Sequence, residues 1–219
     1  MDTTINFKTT FPNVSAQRSS LYAWFADWLA LERSNQDLEH YTQENASTLW
    51  QTLAACGLEQ ESQRFQTALS QALTLPDARL ELAADFTTLF LLQADICATP
   101  YASWYLEENK RLYGDAELKM RQFLKENRLQ LNKQFKEPAD HLAVFLSLLS
   151  HWIAQTATTN QPEVEAKNQA LFIREALLVW LPIWAKRTQQ IMVKTDVYPA
   201  LAALLVAFVE ADANYLDEQ

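Results

Sequence analysis

An aspartate and a histidine stand side by side at Asp140 and His141, within the stretch EPADHL that covers residues 137–142. A carboxylate beside an imidazole could act as an acid and a base in a reaction. Neighbouring residues of a helix point about 100° apart, however, so these two would make a poor hydrogen-bonded dyad. Three interpretations stay open: a helix cap, an active-site pair and a docking site for a partner.

The helix-cap interpretation accounts for most of this stretch. Pro138 suits the first position of a helix, where its missing N–H would be unpaired in any case. Glu137 would then lie at the cap and Asp140 at the third position, where carboxylates interact favourably with the helix dipole. We therefore predict a helix from Pro138 to about residue 155. Capping does not explain His141, which lies at the edge of the apolar face of that helix.

Other catalytic and metal-binding patterns are missing from the sequence. The sequence has no glycine-rich loop of the kind that binds nucleotide phosphates. The histidines His40, His141 and His151 lack the i, i+3 or i, i+4 spacing of a helical metal site. Cys56 and Cys97 have no metal-type spacing either, and we expect both to be buried and reduced, although a disulfide stays open. We therefore expect a binding protein without a metal or cofactor.

A second stretch, PYASWYLEE at residues 100–108, combines aromatic rings with two acids. Rings supply contact area and cation–π interactions, and carboxylates pair with arginine, so this stretch could hold an apolar and basic peptide. Aromatic packing at the start of a helix is the other interpretation.

The elements that must position these residues are predicted to be helices. The chain has 219 residues but only two glycines, Gly57 and Gly114, which leaves little material for tight hairpins. Apolar residues recur every three or four positions along most of the chain, which indicates helices. We predict an all-α fold of nine or ten helices, at about residues 15–33, 37–56, 59–74, 77–93, 103–112, 115–127, 138–155, 163–181 and from 200 to 214.

The stretch RLQLNKQFK at residues 128–136 shows no helical period and is basic. We interpret it as a linker or hinge between an N-terminal helical subdomain, residues 1–127, and a C-terminal one, residues 137–219. The apolar runs at 176–185 and 201–209 fall short of the ~20 residues that span a bilayer. The first residues also lack the apolar core of a signal peptide. These features indicate a cytoplasmic protein.

Charge is distributed unevenly. The net charge is −9, and residues 1–110 hold 14 acids and 6 bases, whereas residues 110–136 hold 8 bases and 3 acids. An acidic half would repel nucleic-acid phosphates but permits a basic partner.

Three stretches together resemble the TorD family: DARLELAADFTTLFLL (77–92), PYASWYL (100–106) and EPADHLAVFLSLLSH (137–151). The resemblance covers roughly residues 20–210. It implies an all-α cytoplasmic chaperone, not an enzyme. Its client would be a molybdoenzyme with a twin-arginine signal peptide, namely trimethylamine N-oxide reductase. Such a chaperone binds the signal peptide and the apo-enzyme, keeps the client competent for molybdenum-cofactor insertion and prevents premature export.

The resemblance also implies client-binding residues, which fall on the family pattern in all three stretches. We expect Asp140 and His141 near a groove between the sub-bundles, with aromatic side chains lining or supporting it, and His141 could tune affinity by protonation. Ala102 replaces a glutamate that is frequent in relatives, and the hinge lacks their glycine. The predicted client-binding residues are Phe86, Phe90, Pro100, Tyr101, Ser103, Tyr105, Glu137, Asp140 and His141.

Two further properties of family members bear on this chain. Some bind guanine nucleotide weakly, which the missing phosphate loop disfavours here. Some form domain-swapped oligomers, and the linker at 128–136 would permit a monomer and a swapped homodimer. The alternatives to this chaperone are an all-α adaptor or regulator without a molybdoenzyme client, and a hydrolase that uses Asp140 and His141.

Overall fold

The computed structural model describes residues 7–42, 47–131 and 135–218. In these three ranges the regular structure is helical apart from one isolated β-bridge, which confirms the all-α prediction. The helices are α1 (Phe7–Ala30), α2 (Asn35–Thr42), α3 (Ser47–Ala55), α4 (Glu59–Leu73), α5 (Ala78–Phe86), α6 (Ala102–Leu106), α7 (Asp115–Glu126), α8 (Leu142–Thr156), α9 (Pro162–Phe172), α10 (Leu181–Thr188) and α11 (Val197–Asp217).

Helices from both sides of the predicted hinge pack directly on each other. Helix α1 runs along α8, and α11 packs against α4, α9 and α10. Buried side chains from all of these helices belong to one hydrophobic cluster. Helix α8 is apolar on most of its surface because it lies inside this packing. The subdomain boundaries at 127 and 137 stay a prediction.

A buried polar network fastens α1 to α9 and α11. The Arg18 guanidinium donates to both carboxylate oxygens of Asp212, at 2.5 and 3.0 Å, and to the side-chain oxygen of Gln169 at 2.9 Å. The Tyr22 hydroxyl donates to Asp212 at 2.8 Å. Because the two charges are paired and hydrogen-bonded, they can remain inside the core.

Two predicted helices contain a π-helical turn. Helix α5 continues into a π turn at Thr87–Leu91, and α9 continues into one at Ile173–Leu177. The second ends before Leu181, where α10 begins with Pro182 in its first turn. Pro182 lies in the first turn of a new helix, which does not need the missing N–H.

The expectation that no apolar segment is long enough to span a bilayer is wrong for α11. This helix has 21 residues and a mean hydropathy of 1.3, which is long and apolar enough to cross a membrane. About two thirds of its apolar window, 67%, is buried inside the protein, as in the core helix of a globular fold.

Both cysteines are free, so no disulfide forms between them. Cys97 is buried as expected, but Cys56 is exposed, which corrects the prediction for that residue. Cys56 lies in the turn that follows α3 and is not part of the hydrophobic cluster.

Candidate functional site

The two motifs singled out in the sequence meet in space. Tyr101 and His141 form an isolated antiparallel β-bridge. Beside it, the amide of Ala102 donates to the carbonyl of Asp140 at 3.1 Å. We call this contact between residues 100–103 and 137–142 the motif junction. It joins the start of α6 to the start of α8.

Asp140 is the central side chain of the motif junction and is fully buried. Its Oδ2 accepts hydrogen bonds from the amide and the hydroxyl of Ser103, at 2.8 and 2.6 Å. The Ser103 hydroxyl in turn accepts from the amide of Gly114 at 3.1 Å, immediately before α7. Burial raises the pKa of Asp140, and the hydrogen bonds from Ser103 oppose that shift. Asp140 therefore ties together the starts of α6, α7 and α8.

His141 is the N-cap of α8. Its Nδ1 accepts from the amide of Ala143 at 3.1 Å, and its ring makes edge contacts with Tyr101 and Phe135 at 5.2 Å between centroids. Burial lowers the pKa of His141 to about 3, so the imidazole is neutral at physiological pH. Tuning of client affinity through its protonation near neutral pH does not fit this environment.

The predicted helix start at Pro138 is therefore wrong. Helix α8 begins at Leu142, four residues later, and neither Glu137 nor Asp140 caps it. The backbone of residues 139–141 pairs with residues 100–102 instead of entering a helix, and this non-local pairing overrides the local capping signal.

Asp140 and His141 are not exposed to an open groove, and their position near the groove that binds the client stays a prediction. Their side chains are 0% and 5% exposed, because the bridge and the ring contacts cover them. Phe86 and Phe90 are also buried, in edge contact with each other and with Tyr198.

The remaining predicted residues divide between core and surface. Pro100 and Ser103 are buried. Tyr105 is partly exposed and stacks on Trp180 at 5.8 Å. The Tyr101 hydroxyl donates to Glu137 at 2.5 Å, and both side chains are partly exposed. Participation of these nine residues in client binding stays a prediction, and direct contact is geometrically open for Tyr101, Tyr105 and Glu137.

A solvent-open cleft lies next to the motif junction, between α7, α8 and the end of α9. Its volume is about 650 Å³. We call it the acid-rimmed cleft. Its lining residues are Leu106, Glu107, Glu108, Asn109, Asp115, Ala116, Lys119, Met120, Phe123, Phe145, Phe172, Glu175 and Ala176.

The floor of the acid-rimmed cleft is aromatic. Phe172 lies 5.2 Å from Phe123 and 6.1 Å from Phe145, measured between ring centroids. On the rim, Glu107 accepts a hydrogen bond from the amide of Asp115 at 2.6 Å. This bond connects the rim to the first residue of α7.

A second cleft, of about 480 Å³, lies beside α8 and is bordered by Leu124 of α7. We call it the apolar cleft, since no carboxylate lines it. Four residues of the predicted hinge line it, namely Leu129, Gln130, Leu131 and Phe135, together with Leu31 after α1 and residues of α8 such as Leu148. None of the nine predicted client-binding residues lines either cleft.

Sequence reasoning identified part of the acid-rimmed cleft. Glu107 and Glu108 follow the aromatic stretch at 100–105, and that proximity was a usable signal. No sequence signal indicates that Asp115 and Glu175 belong to this cleft, because only the fold brings α7 and the end of α9 together. Within the described ranges, no group of three or more His, Cys, Asp or Glu side chains could hold a metal ion.

Comparison with known proteins agrees with this architecture. The family described as nitrate reductase delta subunit matches residues 55–186. A chaperone protein TorD from Psychrobacter sp. (strain PRwf-1) is 42% identical over 92% of both chains. Another, from Vibrio vulnificus (strain YJ016), is 36% identical over 91% of this chain and 94% of its own.

A solved structure shows the same fold. It is a candidate redox enzyme maturation protein from Archaeoglobus fulgidus, with a TM-score of 0.50 and 22% identity over 88% of this chain and 93% of its own. The relatives that share sequence with this chain along almost its whole length are chaperones. The chain therefore belongs to the TorD family, whose members are chaperones and not enzymes.

Proposed function

We propose that this chain is a cytoplasmic chaperone for a molybdoenzyme, trimethylamine N-oxide reductase. It binds the twin-arginine signal peptide and the apo form of that client, keeps the client competent for molybdenum-cofactor insertion, and prevents export before insertion is complete. The observation that carries this proposal is the 42% identity to a TorD chaperone over 92% of both chains.

The chemistry of the chain suits such a client. A twin-arginine signal peptide presents two guanidinium groups followed by an apolar segment. This chain has a net charge of −9, and it carries two open clefts with apolar floors. Complementary charge favours encounter and fixes the orientation of the peptide, while apolar burial supplies affinity.

Isothermal titration calorimetry tests the proposal. The full chain is titrated with the signal peptide of trimethylamine N-oxide reductase, and with a scrambled peptide of the same composition. We expect binding of the native peptide alone. The apo-reductase should also bind more tightly than the cofactor-loaded enzyme. Absence of binding to both the signal peptide and the apo-reductase would contradict the proposed function.

Exchange of helices between two copies is a second part of the proposal. The α1–α8 contact joins segments on either side of residues 128–136, so two copies could form it reciprocally. Sedimentation at increasing protein concentration should show a monomer and a dimer. Shortening the 128–136 segment should increase the dimer fraction. An unchanged dimer fraction would contradict the exchange of helices between two copies.

A further inference from the structure

We infer that the acid-rimmed cleft is where the arginine pair of the signal peptide binds, with the apolar residues that follow it lying on the aromatic floor. This placement rests on the proposed function and specifies where on the chain the signal peptide binds. It assigns the recognition of arginine to Glu108, Asp115 and Glu175, which lie outside the nine motif residues.

The three carboxylates are free to receive a ligand. Glu108, Asp115 and Glu175 are exposed, and their carboxylates make no hydrogen bond or ion pair within the described ranges. Glu108 lies in the connection into α7, Asp115 is the first residue of α7, and Glu175 lies in the π turn after α9. Two guanidinium groups can therefore be held from both sides, and carboxylates accept arginine in a bidentate manner.

The floor between these acids supplies the apolar half of the site. Phe123 and Phe172 are partly exposed, and Leu106 is 46% exposed at the edge. A volume of about 650 Å³ lies in the range of small-ligand pockets, ~300–1,000 Å³, so it admits a few side chains of an extended peptide and not a folded domain. Aromatic faces also attract guanidinium groups.

Charge distinguishes this cleft from the apolar cleft. The apolar cleft has no carboxylate in its lining. An arginine pair placed there would meet no opposite charge. In the acid-rimmed cleft only Lys119 among the lining residues is a cation, against four acids.

The motif junction holds this cleft in place. Glu107 is bonded to the amide of Asp115, and the neighbouring Gly114 amide is bonded to Ser103, which Asp140 holds. The buried motif residues therefore act as positioning residues for the acidic rim.

Calorimetry on matched variants tests the placement. Glu175→Gln, Asp115→Asn and Glu108→Gln are each titrated with the signal peptide, alone and as a triple variant. Glu210→Gln is the control, because Glu210 is an exposed α11 carboxylate outside the cleft whose replacement changes the net charge equally. Circular dichroism confirms that all variants are folded.

We expect each single cleft variant to weaken binding by about two- to fivefold, which is typical of exposed ion pairs. The triple variant should lose about tenfold or more, and Lys119→Gln should tighten binding by about twofold. Glu210→Gln should match the wild type. Replacing the two arginines of the peptide by lysine should weaken binding to the wild type but hardly change binding to the triple variant.

Three results would overturn the placement, and they differ in meaning. If the wild type binds the peptide and the triple variant binds it equally well, the placement is wrong and the proposed function stands. If Glu210→Gln weakens binding as much as Glu175→Gln, the effect is one of net charge and the cleft is not the site. If the wild type binds neither peptide nor apo-reductase, both the placement and the proposed function fail.

Discussion

The motif junction and the acid-rimmed cleft lie side by side but differ in almost every physical respect. At the junction, Asp140 and His141 are buried. Asp140 accepts a hydrogen bond from the amide of Ser103 in another segment, and His141 accepts one from the amide of Ala143 in its own helix. In the cleft, Glu108, Asp115 and Glu175 are exposed and without partners in the described ranges. The residues that make the sequence recognisable hold the architecture, and the residues that are free to bind lie on the surface that this architecture supports.

The largest effect should come from removing the Asp140 carboxylate. Asp140→Ala leaves the buried amide and hydroxyl of Ser103 without their acceptor, which should cost about 3 kcal/mol of unfolding free energy. Urea denaturation followed by circular dichroism measures this loss. Glu175→Gln should change the unfolding free energy by less than about 0.5 kcal/mol.

The same two variants can show whether the motif junction, and not the acid-rimmed cleft, contacts the signal peptide. Suppose Asp140→Ala keeps wild-type stability and yet loses all affinity for the signal peptide. Asp140 would then contact the peptide directly, and the division between a structural junction and a binding cleft would be wrong.

The pH dependence of stability sharpens the assignment at His141. Its folded pKa of about 3 lies below the ordinary value of 6.5, so the unfolded state takes up the proton first as pH falls. The contribution of the neutral imidazole is complete above pH 6.5 and is lost toward pH 3, by up to about 1.4 kcal/mol per pH unit. Asp140, whose pKa is raised, opposes this loss at the acid end.

His141→Asn isolates that contribution, since asparagine is also a good N-cap. Urea denaturation at pH 7.5, 6 and 5 should show a steeper loss of stability in the wild type than in the variant. Parallel pH profiles would mean that His141 is open to solvent in the folded protein.

Leu106 tests the cleft side of the comparison. Leu106→Ala removes apolar surface that is 46% exposed, so the unfolding free energy should fall by less than about 0.5 kcal/mol. Affinity for the signal peptide should fall by about 1 kcal/mol, roughly fivefold, if the peptide covers this side chain. Leu31→Ala is a matched control in the apolar cleft and should leave the affinity unchanged.

The smallest effect is expected at the boundary between the two regions. Tyr101→Phe removes the hydroxyl that donates to Glu137, in a partly exposed position. We expect a loss of about 0.5–1 kcal/mol in unfolding free energy and no change in peptide affinity. A clear loss of affinity would extend the binding surface to Tyr101.

The sequence predicts the helices of this fold better than the contacts between them. Periodicity indicates α4 and α7 to within a residue or two, since an amphipathic face records local burial. The predicted start of α8 is wrong because the backbone carbonyl of Asp140 pairs with the amide of Ala102, 38 residues earlier in the chain. A helix cap can be recognised from neighbouring residues, but such a bridge cannot.

The same limit applies to the site. The motif aromatics Phe86 and Phe90 had the composition of a groove lining, yet they pack against Tyr198 from α11. Glu175 had no distinguishing neighbours and became part of a rim only through the packing of α9 near α7. Charge within a short stretch was informative for Glu108, because the carboxylate and the aromatic residues that flank it belong to one segment.

The π turn at Ile173–Leu177 makes the rim sensitive to chain length. A π turn holds one more residue than an α-helical turn, so the residues after its start are rotated by about 100° from their α-helical positions. Glu175 faces the cleft from within that turn. A deletion of one residue there would return the segment to ordinary α-helix and turn the carboxylate away. The cleft could thus lose a charge while every acid of the chain is retained.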